Sequence, residues 1–345
     1  MLSTLMVVLP IFALIFAGWL ARRIGVLGPH ATAELNRFVV FLALPALLFD
    51  IIAHARWEDI WQPGFIAAFG LSSLMIFGTT VAVRLRRPRH LADAAIDGLN
   101  AGYANTGFIG FPLALLALGR KALAPTMIAT LITVCLVFAI AIILIEVGLQ
   151  TERRRTRFEP DVFALAHASR SRHLFSRVRE TSGDSTSGHH ALAVKVGCSL
   201  LRNPLLVAPV LGALVPIAGQ SVPAPLETFL KLLGGAASPC ALVTLGLFLA
   251  SEREKSPGNA GSTALLVGFK LLLQPVIAWV LAAIVLNLSP LLTHAAVLLA
   301  ALPTGTGPFM LAELYRREAA VTSRVILVST VASLLTVSLY LALAG

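Results

Sequence analysis

The chain has 345 residues, of which 57% are hydrophobic and only 13% charged, and its mean hydropathy is +0.85. That balance excludes a soluble domain of this length and predicts an integral membrane protein made of helices. The formal net charge of +10 does not argue for nucleic acid, because the basic residues fall between apolar runs, where membrane topology accounts for them.

A helix needs roughly 17–25 apolar residues to cross a ~30 Å hydrocarbon core. Ten runs meet that need, at about residues 4–21, 38–55, 63–83, 94–118, 123–147, 200–218, 228–250, 262–286, 293–314 and 323–344. The first lies in MLSTLMVVLPIFALIFAGWLARR, where the positive charge follows the apolar stretch. That is the reverse of a signal peptide and reads as a first span with its N-terminus outside. With odd-numbered loops inside, the cytoplasm holds Arg22, Arg23, Arg37, Arg84, Arg86, Arg87, Arg89, the central loop, Arg253, Lys255, Arg316, Arg317 and Arg324. The other side keeps Arg56, Arg120, Lys121 and Lys231. This positive-inside bias predicts both termini outside, in a bacterial-type inner membrane.

Residues 150–195, with ERRRTR, SRSRH and TSGDSTSGHH, read as a disordered cytoplasmic linker. Their histidines (His167, His173, His189 and His190) have no regular ligand spacing and read as loop residues, while Cys135, Cys198 and Cys240 read as small core residues. The linker separates residues 1–149 from 196–345, with five spans on each side. An odd number per group makes the second cross in the opposite sense, so related halves form an inverted repeat. Pro45 in LALPALL and Pro239 in AASPCAL lie 239 − 45 = 194 apart; Pro112 and Pro308 lie 308 − 112 = 196 apart.

Two glycine-dense breaks interrupt the apolar runs: NTGFIGFP (Asn105 to Pro112) in span 4 and PTGTGP (Pro303 to Pro308) in span 9. Around each proline the helix loses hydrogen bonds, so free N–H groups and helix N-terminal dipole ends face a small volume where a carboxylate is stabilised. Gly107, Gly110, Gly305 and Gly307 allow close backbone approach, and Asn105, Thr106, Thr304 and Thr306 supply hydrogen bonds. Pro112, Pro303 and Pro308 complete the candidate substrate site. The competing reading is that these small residues only permit tight helix packing.

Lys270, in LLVGFKLLLQP, is a cation set well inside span 8. It faces a cavity or a partner, where it neutralises a substrate carboxylate or stands in for a coupling cation, or else it snorkels to the surface. Glu313 in LAELY is a candidate coupling group, against a plain interface reading. Asp50, Asp93, Asp97 and Glu146 lie toward span ends, where carboxylates reach water, and receive no transport role. His30, His54, His90 and His294 form no relay. Phe108, Phe111 and Phe309 flank the breaks as cavity or core aromatics.

RNPLLVAPVLG in span 6, ASPCALVTLGLFLA in span 7, LPTGTGPFMLAELYRREAAVTSRVILVSTVASLLTVS across spans 9 and 10, and NTGFIGFPL in span 4 together resemble the auxin efflux carrier family of secondary transporters. The likeness is greatest to bacterial members described as malonate or other dicarboxylate transporters, and it covers nearly the whole chain except the linker. It implies an all-α membrane fold of ten helices in a five-plus-five inverted repeat, similar to bile acid sodium symporters and sodium/proton antiporters. Spans 1, 2, 6 and 7 are then a scaffold, spans 3–5 and 8–10 a transport domain, and broken spans 4 and 9 cross at the substrate site. Many members carry an Asn beside the ninth-span break, where this chain has Gly307 and Pro308.

The expected function is secondary transport of a small organic anion, malonate or a similar carboxylate, by alternating access. The chain has no P-loop, HExxH or GxSxG motif, so it is expected not to be an enzyme and to need no cofactor, with a proton or sodium as candidate coupling ion. Expected partners are the carboxylate, the lipid bilayer and a second copy through the scaffold. A cation/proton antiporter of related fold is the nearest rival and calls for acidic residues beside the breaks; a sensor using the central loop is the rival from another class.

Overall fold

The computed structural model describes residues 2–54, 61–86, 89–152, 202–251 and 260–344, the side chains of 2–8 and 344 aside. The predicted linker at 150–195, with its four histidines, lies outside the described residues apart from its first three positions. Among the described residues the chain is all helix, with no strand.

The helices are α1 (Leu2–Arg23), α2 (Ala31–Ala53), α3 (Pro63–Leu85), α4 (Leu91–Gly102), α5 (Thr106–Leu118) and α6 (Arg120–Glu152) in the first part of the chain. The second part holds α7 (Pro204–Ile217), α8 (Ala224–Leu249), α9 (Ala260–Val285), α10 (Pro290–Ala300), α11 (Gly307–Leu314) and α12 (Ala319–Leu343). Six of these (α2, α3, α6, α8, α9 and α12) are continuous, long and apolar enough to cross a membrane. The other expected spans correspond to α1, to the 14-residue α7, and to two broken pairs, α4 with α5 and α10 with α11.

Local chemistry sets the helix ends. Proline opens α3, α7 and α10, where its missing N–H costs nothing. Asn203 caps α7 by accepting from the Leu205 amide at 3.0 Å, and His90 caps α4 by accepting from Ala92 at 3.1 Å. Gly119, at φ +76°, ends α5 in a left-handed turn. Within α6 the hydroxyls of Thr126, Thr130 and Thr133 donate to the carbonyls four residues back, which satisfies them without water. π-turns interrupt α2 at Val39–Ala43, α6 at Ile132–Val137 and α9 at Phe269–Leu273 and Val280–Val285, a feature that often marks functional positions.

Between apolar helices in lipid, close backbone packing replaces the hydrophobic driving force. Helix α1 lies along the second half of α8, and α7 lies along the second half of α2. A Cβ on Gly18 would sit 2.1 Å from the Val243 carbonyl, and one on Gly212 would sit 2.8 Å from the Phe49 carbonyl, so only glycine fits either crossing. The two contacts share one offset: 212 − 18 and 243 − 49 are both 194, the spacing of Pro45 and Pro239. Helix α3 packs on α4, while α9 packs on α10 and α12.

One end of the helices carries a charged cluster. Arg84 Nε lies 2.8 Å from Asp97 Oδ2, and Arg89 Nη2 lies 3.1 Å from the same oxygen and also pairs with Glu318. Arg317 makes a two-point pair with Asp93 at 2.8 and 2.9 Å. Asp97 is only 2% exposed, so the sequence expectation that it reaches water is wrong. Arg84 at the end of α3 and Arg89 just before α4 lie against it and supply the counter-charge that burial requires. Arg317 lies outside the spans, and its hydrogen-bonded Asp93 raises its already high pKa.

Candidate functional site

The two breaks meet. Ala104 and Thr304 form an isolated antiparallel bridge, in which the Asn105 amide donates to the Pro303 carbonyl at 2.9 Å and the Gly305 amide donates to the Tyr103 carbonyl at 3.0 Å. Each break thus satisfies backbone groups that the other lost, which is what a bilayer interior demands of non-helical chain. Thr304 is wholly buried and secures the join: its hydroxyl donates to the Asn100 carbonyl at 2.7 Å, and its amide donates to Ser329 Oγ at 3.2 Å.

The bridge pairs positions 304 − 104 = 200 apart, and the two prolines, 196 apart, follow it at unequal distances. Pro112 comes eight residues after Ala104 and Pro308 four residues after Thr304. The difference is a π-turn, Thr106–Gly110, inserted before the proline in the first half only.

A cavity of about 360 Å³ adjoins the crossing. One wall is Val39, Leu44, Leu47 and Ile51 of α2 with Gly234, Gly235 and Ser238 of α8; the other is Tyr103 to Phe108, Thr130 of α6 and Gly305 to Gly307. The starts of α5 and α11 both border it, and the first N–H groups of a helix have no intrahelical acceptor. Among the described residues no carboxylate lines this cavity.

Six of the predicted site residues line it: Asn105, Thr106, Gly107, Gly305, Thr306 and Gly307. Thr106 is 1% exposed, and its hydroxyl has no hydrogen-bond partner among the described residues. A buried hydroxyl left in that state costs about 1–3 kcal/mol, which a ligand or water at this position removes. The glycines differ in role. A Cβ on Gly305 would stand 2.8 Å from the Tyr103 ring and one on Gly307 2.6 Å from it, so these two are small because an aromatic ring is already there. Gly110 is small because Leu302 and Leu299 press on it at 3.2 and 3.3 Å, whereas nothing lies within 4 Å of a Cβ on Gly107. The helix-packing reading therefore describes Gly110, and Gly107 alone faces open space.

Gly110, Pro112, Pro303, Thr304, Pro308, Lys270 and Glu313 are not part of the cavity wall. Phe108 and Phe111 line it; Phe309 instead packs edge-on against Phe248 in the core, with ring centres 5.2 Å apart. Lys270 does not snorkel. It is fully buried, and its ammonium donates to the carbonyl of Ala300 at 2.6 Å and to Gln274 Oε1 at 2.7 Å. Gln274 in turn donates to Ser73 at 3.2 Å. Glu313 sits near the end of α11, away from the crossing. Among the described residues no cluster of His, Cys, Asp or Glu has the makings of a metal site.

Sequence reading missed Tyr103, Thr130 and Ser238. Tyr103 comes two residues before the first break and Ser238 directly precedes Pro239, so both stood close to marks already noted. Thr130 carried no signal, since it is one of several threonines in a long apolar helix.

Comparison with known proteins points to membrane transport. The family model described as membrane transport protein matches residues 3–341. A Rhizobium meliloti (strain 1021) protein named "Putative malonate transporter" is 30% identical over 343 residues, which is 98% of this chain and 95% of the relative. The Escherichia coli (strain K12) protein named "Uncharacterized transporter YfdV" is 25% identical over 272 residues, 77% of this chain and 74% of that one. With helices apolar enough to span a bilayer and a family match along nearly its whole length, the chain belongs to the auxin efflux carrier family of membrane transport proteins.

Proposed function

We propose that this protein is a secondary transporter of a small carboxylate, malonate or a close analogue, that binds at the crossing of the two broken spans. The observation that carries the proposal is the cavity itself, which has two helix starts, an unpartnered Thr106 hydroxyl, Asn105 on its wall and, among the described residues, no carboxylate. An anion fits that set of donors, and a cation does not. The absence of acidic groups from this wall weighs against the cation/proton antiporter reading. The name of the Rhizobium relative points to the same substrate class.

In this proposal α1, α2, α7 and α8 form the scaffold, and the helices that carry the breaks move against it to give alternating access. The glycine-tight crossings at Gly18 and Gly212 support a rigid scaffold, and their 194-residue correspondence supports an inverted repeat. The cavity lies between α2 and α8 on one side and the crossing on the other, where relative motion would open it alternately. Both termini lie outside, a proton or sodium gradient is the candidate driving force, and a second copy docks through the scaffold.

The test is uptake of labelled malonate by proteoliposomes containing the purified protein. Uptake is expected in the wild type and lost in Asn105→Leu, with both proteins equally well folded. Equal uptake by the two would remove Asn105 and the crossing from the site. Thermal-shift screening against mono- and dicarboxylates then ranks the substrates, because a ligand held only by the folded state raises its apparent stability.

A further inference from the structure

Lys270 is a buried cation that the proposed anion site does not touch. It is 0% exposed, lies on the first π-turn of α9, and gives two of its three N–H groups to neutral acceptors, Gln274 Oε1 and the carbonyl of Ala300. Ala300 is the last residue of α10, so its carbonyl is one of those a helix leaves unpaired at the negative end of its dipole. Among the described residues no carboxylate lies within ion-pair distance of the ammonium. The contrast with the rest of the same helix group is sharp: Arg84, Arg89 and Arg317 are all paired with Asp97, Glu318 or Asp93. A full charge is costly in a membrane interior and is kept there where it serves a purpose.

Ala300 stands three residues before Pro303, whose carbonyl anchors the crossing. Lys270 therefore holds its charge at the C-terminal end of one half-helix, while the cavity lies at the N-terminal ends of two others. Helix α9 packs on α10 and α12, not on the α1–α8 pair, so the lysine belongs to the body that carries the breaks.

We propose that Lys270 is a fixed counter-charge that sets the net charge of the moving, substrate-loaded body. A carboxylate taken across the low-dielectric layer in the same moving body as Lys270 carries, together with that body, one negative charge fewer than it would alone. A monoanion then crosses as a neutral unit and a dianion such as malonate as a single charge. The empty body returns with the lysine's positive charge. For a monoanion only the empty return then feels the membrane potential; for malonate both halves do, each through one charge rather than the loaded half through two. This inference rests on the proposed carboxylate transport and on the breaks moving with α9.

Homoexchange of labelled malonate in proteoliposomes, with malonate on both sides, isolates the loaded step; the potential is clamped at 0 and −100 mV. Two variants alter the charge differently. Lys270→Gln removes it, and Gln274→Glu neutralises it in place with almost no change of shape, since Gln274 Oε1 already touches the ammonium at 2.7 Å. Lys270→Arg retains it. Moving one extra charge through the full field is expected to steepen the voltage dependence of exchange by up to about 50-fold per 100 mV. Steeper dependence in Lys270→Gln or in Gln274→Glu, with wild-type behaviour in Lys270→Arg, supports the role. Unchanged voltage dependence in whichever neutral variant folds and exchanges overturns it. A merely structural lysine would alter stability or rate but leave the charge moved the same. Failure of the wild type to bind or exchange any carboxylate would instead strike the transport reading beneath.

Discussion

The amide of Asn105 donates to the carbonyl of Pro303 at 2.9 Å, across 198 residues of sequence (303 − 105). Through that bond and its partner, Gly305 to Tyr103, the two broken spans share one short piece of antiparallel chain. Neither break can shift alone, because each holds backbone groups that would otherwise be unsatisfied in the membrane.

Asn105 lines the cavity at that junction. Asn105→Ala is expected to weaken malonate binding roughly 10- to 100-fold, the loss of one hydrogen bond to a charged ligand. Isothermal titration of the purified variant checks this.

Thr106 and Thr304 are matched in type and opposed in role. Thr106→Val removes a buried hydroxyl that has no partner, so ligand-free stability should hold or rise while substrate affinity falls. Thr304→Val breaks the bond to Asn100 and should cost about 1–3 kcal/mol of stability, the penalty of an unsatisfied buried acceptor. Melting curves with and without malonate separate the two cases.

Gly307→Ala would place a methyl group 2.6 Å from the Tyr103 ring. Overpacking of this kind typically costs about 1–3 kcal/mol, and a smaller residue in place of the tyrosine, as in Tyr103→Leu, should recover part of it. The same substitution at Gly107, with nothing within 4 Å of its Cβ, should leave the melting temperature within a degree or so (about 0.5 kcal/mol) and act only on binding.

Asp97→Asn leaves Arg84 and Arg89 facing each other across a buried site. Removing one partner of a buried ion pair costs about 3–5 kcal/mol, so the variant should melt well below the wild type. Asp50→Asn, at a more exposed carboxylate beside His54, serves as the control and should change much less.

Much of the site was legible in NTGFIGFP and PTGTGP, because glycine and proline inside an apolar run can be read against what a bilayer tolerates. The roles of the individual glycines were not legible. Gly110, Gly305 and Gly307 look like Gly107 in sequence, yet their neighbours are Leu302 and the Tyr103 ring, which come from the opposite break. The unequal distances of the two prolines from the bridge were not legible either, since a π-turn leaves no mark in composition.

By itself the sequence determined that this chain is a membrane protein of apolar helices, where two of those helices break, and which family it resembles. These follow from hydropathy, from Gly and Pro chemistry and from local motifs, all of which act over a few residues. Only the tertiary structure decided that the breaks bond to each other, that Asp97 is buried between two arginines and that Lys270 caps α10 without reaching the surface. Each of those depends on side chains far apart in the chain, and a buried charge takes its meaning from the groups that surround it.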